Sequence, residues 1–143
     1  MSILSILTGK SNRVEKSHIK NLIELANADG HFDSRENDFL HILAKRDKVS
    51  QRLIRKISSE TSNIELQVPE DETIKFKQFY DLVRMMLADE VIHEMEIKVL
   101  SNLGEKFGYP KQHLKELIES VVGNIRNGQN AESAMSRVAR LLK

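Results

Sequence analysis

The feature that most constrains the fold is an acidic segment that occurs twice, sixty residues apart. The first copy, residues 28–36, has the sequence ADGHFDSRE, and the second, residues 88–96, has the sequence ADEVIHEME. In each copy an apolar residue comes three positions after the aspartate and a glutamate comes seven positions after it. The repeat predicts two related halves, in which Asp29 is equivalent to Asp89 and Glu36 is equivalent to Glu96.

Apolar residues recur at helical spacing along most of the chain. Two prolines, six glycines and little strand-like alternation leave few breaks in those helices. Ser50, a good N-cap, and Pro110, suited to a first helical turn, are also sixty residues apart and are predicted to begin equivalent helices. The predicted core stripes are Ile19, Leu22, Ile23 and Ala26; Leu40, Leu43 and Ala44; Phe76, Phe79, Tyr80, Val83, Met86 and Leu87; and Ile97, Leu100, Leu103 and Phe107.

These patterns predict one all-α domain over residues 1–143, a compact bundle of about seven to eight helices with internal pseudo-twofold duplication. The repeat units are expected at about residues 17–58 and 77–118, each with three helices, and the acidic segment joins the first two. The polar segment Ser58–Thr73 is expected to connect the units. A C-terminal helix is expected at about residues 131–142.

Composition and charge exclude several classes of function. A net charge of +1 creates no global field that would recruit nucleic acid, and the absence of cysteine removes disulfides and thiol catalysis. No apolar run approaches the roughly 20 residues of a membrane span. The first ten residues lack the charged start of a secretory signal. Since no recognisable catalytic motif is present either, we expect a cytoplasmic protein that is not an enzyme.

The first acidic segment matches the second half of an EF-hand calcium loop. Asp29 is followed by Gly30, an apolar residue comes two positions later, and Glu36 occupies the last ligand place. The first half of the loop is missing, because Leu25 stands where the opening aspartate belongs and Met85 stands there in the second copy. A true EF-hand is therefore not predicted.

A cation site could still form if the two copies complete each other's ligand shell. Hard cations take several oxygen ligands, and each copy supplies an aspartate and a glutamate. Calcium is the favoured ion because the ligands are carboxylates, and magnesium and manganese are alternatives. Glu90 replaces the glycine in the second copy, which predicts a tighter, more helical turn there. The predicted metal ligands are Asp29, Glu36, Asp89 and Glu96.

Helix capping is the alternative explanation of the same acids. Asp33 and Glu36 have the spacing of an N-cap and its reciprocal partner, and negative charge is favoured near a helix start. In the second copy His93 stands at the cap position, so Glu96 lacks the usual partner. Capping therefore explains the first copy better than the second.

The paired turns also carry a family resemblance. With Ala-Asp-Gly-x-Phe-x-x-x-Glu in one half and Ala-Asp-x-x-Ile-x-x-x-Glu in the other, the chain resembles the tellurite-resistance TerB-like family from about residue 17 to 125. The resemblance implies an all-helical domain of two related halves, in the cytoplasm or at the inner face of the membrane. It also implies divalent-cation binding by the acidic clusters, a role in stress response and no enzymatic activity. The leading hypothesis is thus a cation-binding protein that engages a protein partner.

Other residues support competing hypotheses. The segment 45–56 is rich in lysine and arginine and superficially resembles a helix-turn-helix, but Asp47 interrupts it, and a solvated face is favoured over nucleic-acid binding. A zinc site would need three convergent ligands from a set that includes His18, His31, His41, His93 and His113. The N-terminal residues are expected to pack on the core or to tether the domain to a membrane; they are Ile3, Leu4, Ile6 and Leu7, followed by Lys10, Arg13 and Lys16. The alternative function is accordingly a metal-independent scaffold that docks a protein or membrane surface.

Overall fold

The computed structural model describes residues 9–28, 30 and 32–143, and over these residues the chain is helical with no strand. Seven α-helices are present there, which confirms the all-α prediction. They are α1 (Gly9–Ala26), α2 (Ser34–Arg46), α3 (Gln51–Ser59), α4 (Glu72–Leu87), α5 (Glu94–Lys106), α6 (Leu114–Arg126) and α7 (Ala131–Arg137). Three 3-10 turns accompany them, at Thr61–Asn63, Lys111–His113 and Ala139–Leu141. The C-terminal segment predicted as one helix is therefore α7 followed by a 3-10 turn.

Several local features recur at the spacing of sixty residues. Both α2 and α5 have 13 residues, and their first residues are 34 and 94. After α1, the Gly30 amide donates to the carbonyl of Asn27 at 2.9 Å, and after α4 the Glu90 amide donates to the carbonyl of Leu87 at 3.0 Å. Gly30 and Glu90 both have positive φ, 87° and 66°. The expectation that Glu90 would make its turn more helical is therefore wrong, because its backbone takes the left-handed conformation of the glycine.

The core is centred on α4. This helix packs against α1, α6 and α7, and most of its residues are buried. Its fully buried side chains include Phe76, Phe79, Leu82, Met85 and Met86, and each contributes about 1.5–3 kcal/mol by leaving water. In the same cluster, Phe79 meets Tyr109 edge-on with ring centroids 5.4 Å apart. The helices that carry the acidic turns are thus anchored on one apolar cluster.

The polar connector between the halves is held against α1. Ser17 on α1 accepts a hydrogen bond through Oγ from the Gln67 amide at 2.9 Å. Lys20 on α1 donates from Nζ to the carbonyl of Ile64, also at 2.9 Å. The connector also buries part of its apolar side chains, Ile64, Leu66 and Val68, against the core. It therefore contributes one wall of the bundle as well as linking the halves.

The core stripe predicted for α5 is wrong at one position. Leu100, Leu103 and Phe107 are buried as expected, but Ile97 is 38% exposed. The preceding residue, Glu96, is completely buried instead. The helix is thus rotated so that a carboxyl group takes the place in the interior that the apolar stripe predicted for an isoleucine.

None of the helices in the described part of the chain is long and apolar enough to cross a membrane. The N-terminal patch of Ile3, Leu4, Ile6 and Leu7 lies outside the described residues, so the two expectations for it remain predictions.

Candidate cation site at the paired acidic turns

The glutamate of the first turn serves as a helix cap. Asp33 lies just before α2, and its Oδ1 accepts the Arg35 amide at 2.7 Å. Glu36 reaches back so that its Oε1 accepts the Asp33 amide at 3.0 Å. Together these contacts form the capping box that the spacing predicted. Glu36 is nevertheless 2% exposed, so this cap brings a carboxyl group into the interior.

The glutamate of the second turn is buried without such support. Glu96 is 0% exposed, and His93 at the cap position makes no side-chain cap hydrogen bond. Neither carboxyl oxygen of Glu96 makes a hydrogen bond of ordinary geometry to a described residue. A buried polar group without a partner costs free energy, so this carboxyl group needs an explanation beyond capping.

The two glutamates are brought together. The pKa of Glu96 is raised to about 8, first by burial and then by charge repulsion from Glu36 and by the interaction between the two carboxyl groups. The backbone at His93 lowers the pKa in part, and Asp89 raises it further. The acids that the repeat made equivalent, Glu36 and Glu96, therefore form one buried pair, with Asp89 near enough to act on it.

Asp89 is held in place by its own turn. Only 7% of it is exposed, and its Oδ1 accepts the Val91 amide at 3.1 Å. Its Oδ2 lies 3.1 Å from Nε2 of His93. The imidazole thus interacts with the aspartate instead of capping α5, and this contact fixes the carboxylate at the edge of the pair.

The fourth predicted ligand, Asp29, lies outside the described residues, as does His31. Among the residues that the structure describes, no three histidine, aspartate or glutamate side chains converge closely enough to hold a metal ion. The described portion of the site is therefore the pair Glu36 and Glu96 with Asp89 beside it, and the place of Asp29 in the site stays a prediction.

Two buried carboxyl groups side by side have a limited choice of charge states. They cannot both ionise without a compensating positive charge, because repulsion and desolvation both oppose it. The pair can hold one proton between its members, which is what the raised pKa of Glu96 expresses. A divalent cation can take the place of that proton, and it favours oxygen ligands of this kind. The residues present fit such an ion in charge and ligand type.

The basic segment 45–56 is less uniform than its sequence indicates. Arg46 donates to both oxygens of the buried Asp81, at 3.2 and 2.7 Å, and to Asp47 through Nε at 2.9 Å. These hydrogen bonds raise the pKa of Arg46 further above its ordinary value, and its charge is neutralised locally. The exposed cations that remain make no ion pair with a described residue, and they are Lys45, Lys48, Arg52, Arg55 and Lys56.

Sequence reasoning missed the cluster around Asp81. Asp81 is 3% exposed in the middle of α4, and His18 on α1 lies 3.1 Å from its Oδ2 through Nε2. Burial alone would raise the pKa of Asp81, but hydrogen bonds to His18 and Arg46 lower it below its usual range. An aspartate between Tyr80 and Leu82 on an apolar helix was the available signal, since carboxylates are almost never buried without a partner.

Comparisons with protein-family models, with curated proteins and with solved structures found no match to this chain.

Proposed function

We propose that this chain is a non-catalytic, TerB-like protein of stress response that binds a divalent cation where its two acidic turns meet. Glu36 and Glu96 are the inner ligands, and Asp89 binds from the edge of the pair. Asp29 is the fourth ligand on the argument of the repeat alone. The observation that carries the proposal is the buried pair, in which both oxygens of Glu96 lack a hydrogen bond of ordinary geometry to a described residue.

The cation explains what capping does not. A cap accounts for Glu36, since the Asp33 amide donates to it, but no comparable contact accounts for Glu96. A divalent ion would neutralise both carboxylates at once and would occupy the lone pairs that Glu96 leaves unused. Calcium suits the pair best because it accepts a large and irregular oxygen shell, in which water and backbone carbonyls complete the coordination. Magnesium and manganese are the alternatives.

A partner is expected to bind next to the ion. Three apolar side chains follow Asp89 around the start of α5 and are exposed to solvent: Val91 (54%), Ile92 (38%) and Met95 (49%). They lie between Asp89 and Glu96 in the sequence. Binding of a cation by these two acids would therefore move them. An exposed apolar group of this kind is a common feature of protein interaction sites. On this proposal, the loaded site presents these residues to a protein partner.

Calorimetric titration of the chelator-treated protein tests the proposal. Calcium, magnesium and manganese are titrated into the wild-type chain and into Glu36→Gln and Glu96→Gln, which keep the size of the side chain and remove its charge. Glu94→Gln is the matched control, because Glu94 lies two residues from Glu96 on the same helix but is exposed. Saturable binding to the wild type and to Glu94→Gln, with at least about a tenfold loss in each pair variant, supports the site; a tenfold loss is about 1.4 kcal/mol.

Absence of heat with all three ions, from a wild-type protein shown to be folded by circular dichroism, would overturn the cation proposal. A second double variant, Asp29→Ala with Asp89→Ala, then asks whether the aspartates contribute. Under the proposal it weakens or abolishes binding, whereas a purely structural role leaves the affinity unchanged and lowers only the stability.

A metal-independent scaffold is the second candidate function. The observations that favour it are the complete capping box at Asp33 and the five exposed cations around α3 that make no described ion pair. Such a scaffold would bind an acidic protein or an anionic membrane surface through these cations. Its binding would be insensitive to chelators and weakened by salt, because exposed charges are screened at high ionic strength.

A further inference from the structure

A cavity of about 720 Å³ lies apart from the pair Glu36 and Glu96. Its walls come from α1, from the end of α2, from the connector at residues 68–71, from α4 between Ile74 and Arg84, and from the start of α7. This volume falls within the range of about 300–1,000 Å³ that is usual for small-molecule sites. None of Glu36, Asp89 and Glu96 lines the cavity, so it is distinct from the proposed cation site.

The floor of the cavity is polar, and its arginine, Arg46, is already paired with carboxylates. Asp81 binds Arg46 through two hydrogen bonds, and Arg46 also binds Asp47 through two more. Gln78 is 7% exposed and its Oε1 lacks a hydrogen-bond partner among the described residues; Nδ1 of His18 lacks one as well. When His18 donates to Asp81 through Nε2, its Nδ1 is an acceptor. The floor thus offers two acceptors without a described partner, Oε1 of Gln78 and Nδ1 of His18.

The mouth of the cavity is acidic. Four exposed carboxylates surround it, Glu15, Glu70, Asp71 and Glu132. Lys77 is the exposed lysine of the lining, and its Nζ lies 2.9 Å from Oε1 of Glu132. Among the residues that the structure describes, the lining has six carboxylates against three lysine and arginine side chains. The whole chain has a net charge of +1, so this negative excess is local to the cavity.

The two remaining arginines offset only part of that charge. Arg46 is bound by two carboxylates, and Arg84 lies over the ring of Phe39, 4.7 Å from its centroid. Glu15 makes no described ion pair, and its pKa is raised by burial and by repulsion from Asp47. An anion entering the cavity would meet this repulsion, whereas a cation would relieve it.

Apolar side chains line the same cavity. Val14, Val68 and Ile74 contribute to its walls, together with the ring of Tyr80. Ile74 is 51% exposed, which leaves hydrocarbon available for contact with a guest. A guest with only a charge would leave these apolar groups exposed to water, and a guest with only hydrocarbon would leave the negative charge of Glu15 without a cation.

We propose that this cavity binds an organic cation, an alkylammonium or guanidinium group carried on an apolar chain. The charged head lies among Glu15 and the other carboxylates of the mouth, and the hydrocarbon packs against Val68 and Ile74. The same chemistry is present in a lysine or arginine side chain of a partner peptide and in a free polyamine. The proposal is independent of the cation site at Glu36 and Glu96.

Three probes of equal length test the class of ligand. Hexylammonium, hexanol and hexanoate each have six carbons and differ in head-group charge, and each is titrated into the ¹⁵N-labelled wild-type protein while amide shifts are recorded by NMR. We expect saturable shifts around residues 68–80 with hexylammonium, and binding of hexanol and hexanoate weaker by about tenfold or more. Equal binding of the three probes, or no saturable shift with hexylammonium, would overturn the proposal.

Matched variants locate the site. Glu15→Gln removes an acid of the mouth and should weaken hexylammonium binding by about three- to tenfold, while Glu119→Gln, an exposed acid on α6 outside the cavity, should not. Ile74→Gln should weaken it too, whereas Ile42→Gln, an even more exposed isoleucine on α2, should not. Glu96→Gln should bind hexylammonium like the wild type, so failure of one site is distinguishable from failure of the other. Loss of binding in the control variants and not in the cavity variants would place the ligand elsewhere and refute the site.

Two further ligands distinguish the possible sources of the organic cation, a partner peptide and a free polyamine. Spermidine and an N-acetylated, C-amidated peptide with one central lysine are compared with the same peptide carrying norleucine in place of the lysine. Tighter binding of the lysine peptide assigns the site to a partner protein, and tighter binding of spermidine assigns it to a free polyamine. Both results uphold the organic cation, and indistinguishable binding of the lysine and norleucine peptides together with no spermidine binding refutes it.

Discussion

The two acidic turns have the same spacing of acids but use them differently. In the first, Asp33 caps α2 and Glu36 accepts the amide of Asp33. In the second, His93 interacts with Asp89 instead of capping α5, and Glu96 is buried without a hydrogen bond of ordinary geometry. A single structural role therefore explains one copy and leaves the other with a buried carboxyl group that no described residue satisfies by a hydrogen bond of ordinary geometry. On the cation proposal, the second turn keeps its acids for the metal ion.

The largest expected effect that separates the turns is the pH dependence of stability. The pKa of Glu96 is about 8 in the folded protein against an ordinary value of 4.5. Between these values the folded state holds a proton that the unfolded state has released, so the free energy of unfolding of the metal-free protein falls as pH rises through this window. At about 1.4 kcal/mol for each pH unit between these two values, we expect a loss of up to about 5 kcal/mol. Urea unfolding in the presence of a chelator, from pH 5 to 9, measures it.

Variants at the pair and beside it make this test specific. Glu96→Gln should remove most of the pH dependence, because the group that titrates is gone. Glu36→Gln should reduce it, because Gln still accepts the Asp33 amide but no longer repels Glu96. Glu94→Gln should behave like the wild type. A wild-type protein whose stability is flat from pH 5 to 8, or a Glu96→Gln variant that keeps the full slope, would contradict the assignment of the buried pair.

The next largest effect concerns the caps. Asp33→Ala removes the side chain that accepts the Arg35 amide, so we expect the melting temperature to fall by about 3–5 °C. His93→Ala, the matched change in the second turn, should lower it less, because His93 makes no cap hydrogen bond and its contact with Asp89 is partly exposed. Asp33→Asn is the control, since asparagine caps a helix equally well. Thermal unfolding by circular dichroism compares the three, and equal losses at both turns would mean that the second turn has a cap after all.

Helix positions were predictable because they depend on local spacing. Ser50 caps α3 as expected, with its Oγ accepting the Leu53 amide at 3.1 Å, and the capping box at Asp33 follows from residues three apart. The stripes on α1 and α2 are buried as the periodicity indicated. Each of these features is determined by residues that lie within one or two helical turns of each other.

Tertiary features were less predictable. Periodicity places both Glu96 and Ile97 near the edge of an apolar face, and only the packing of α5 determines that Glu96 is buried and Ile97 exposed. The contacts of Asp81 with His18 and Arg46 join residues 63 and 35 positions apart, for which no local pattern exists. The repeat made Glu36 and Glu96 equivalent in sequence, but equivalence alone did not require that they meet. Long-range polar contacts of this kind depend on the relative position of whole helices.

The smallest expected effect tests the backbone that the two turns share. Gly30 and Glu90 both adopt positive φ, and no described residue other than its chain neighbours comes within 4 Å of a Cβ added at Gly30. Gly30→Ala should therefore destabilise the protein by conformational strain alone, and Glu90→Gly should stabilise it, by about 0.5–1 kcal/mol in each case. Glu90→Ala keeps the strain and removes the charge, so it separates the two causes: stabilisation equal to that of Glu90→Gly would trace the gain to loss of the Glu90 charge and not to the backbone. Chemical denaturation at pH 7 with and without calcium measures all three variants, and a destabilised Glu90→Gly would show that the second turn needs its side chain where the first needs none.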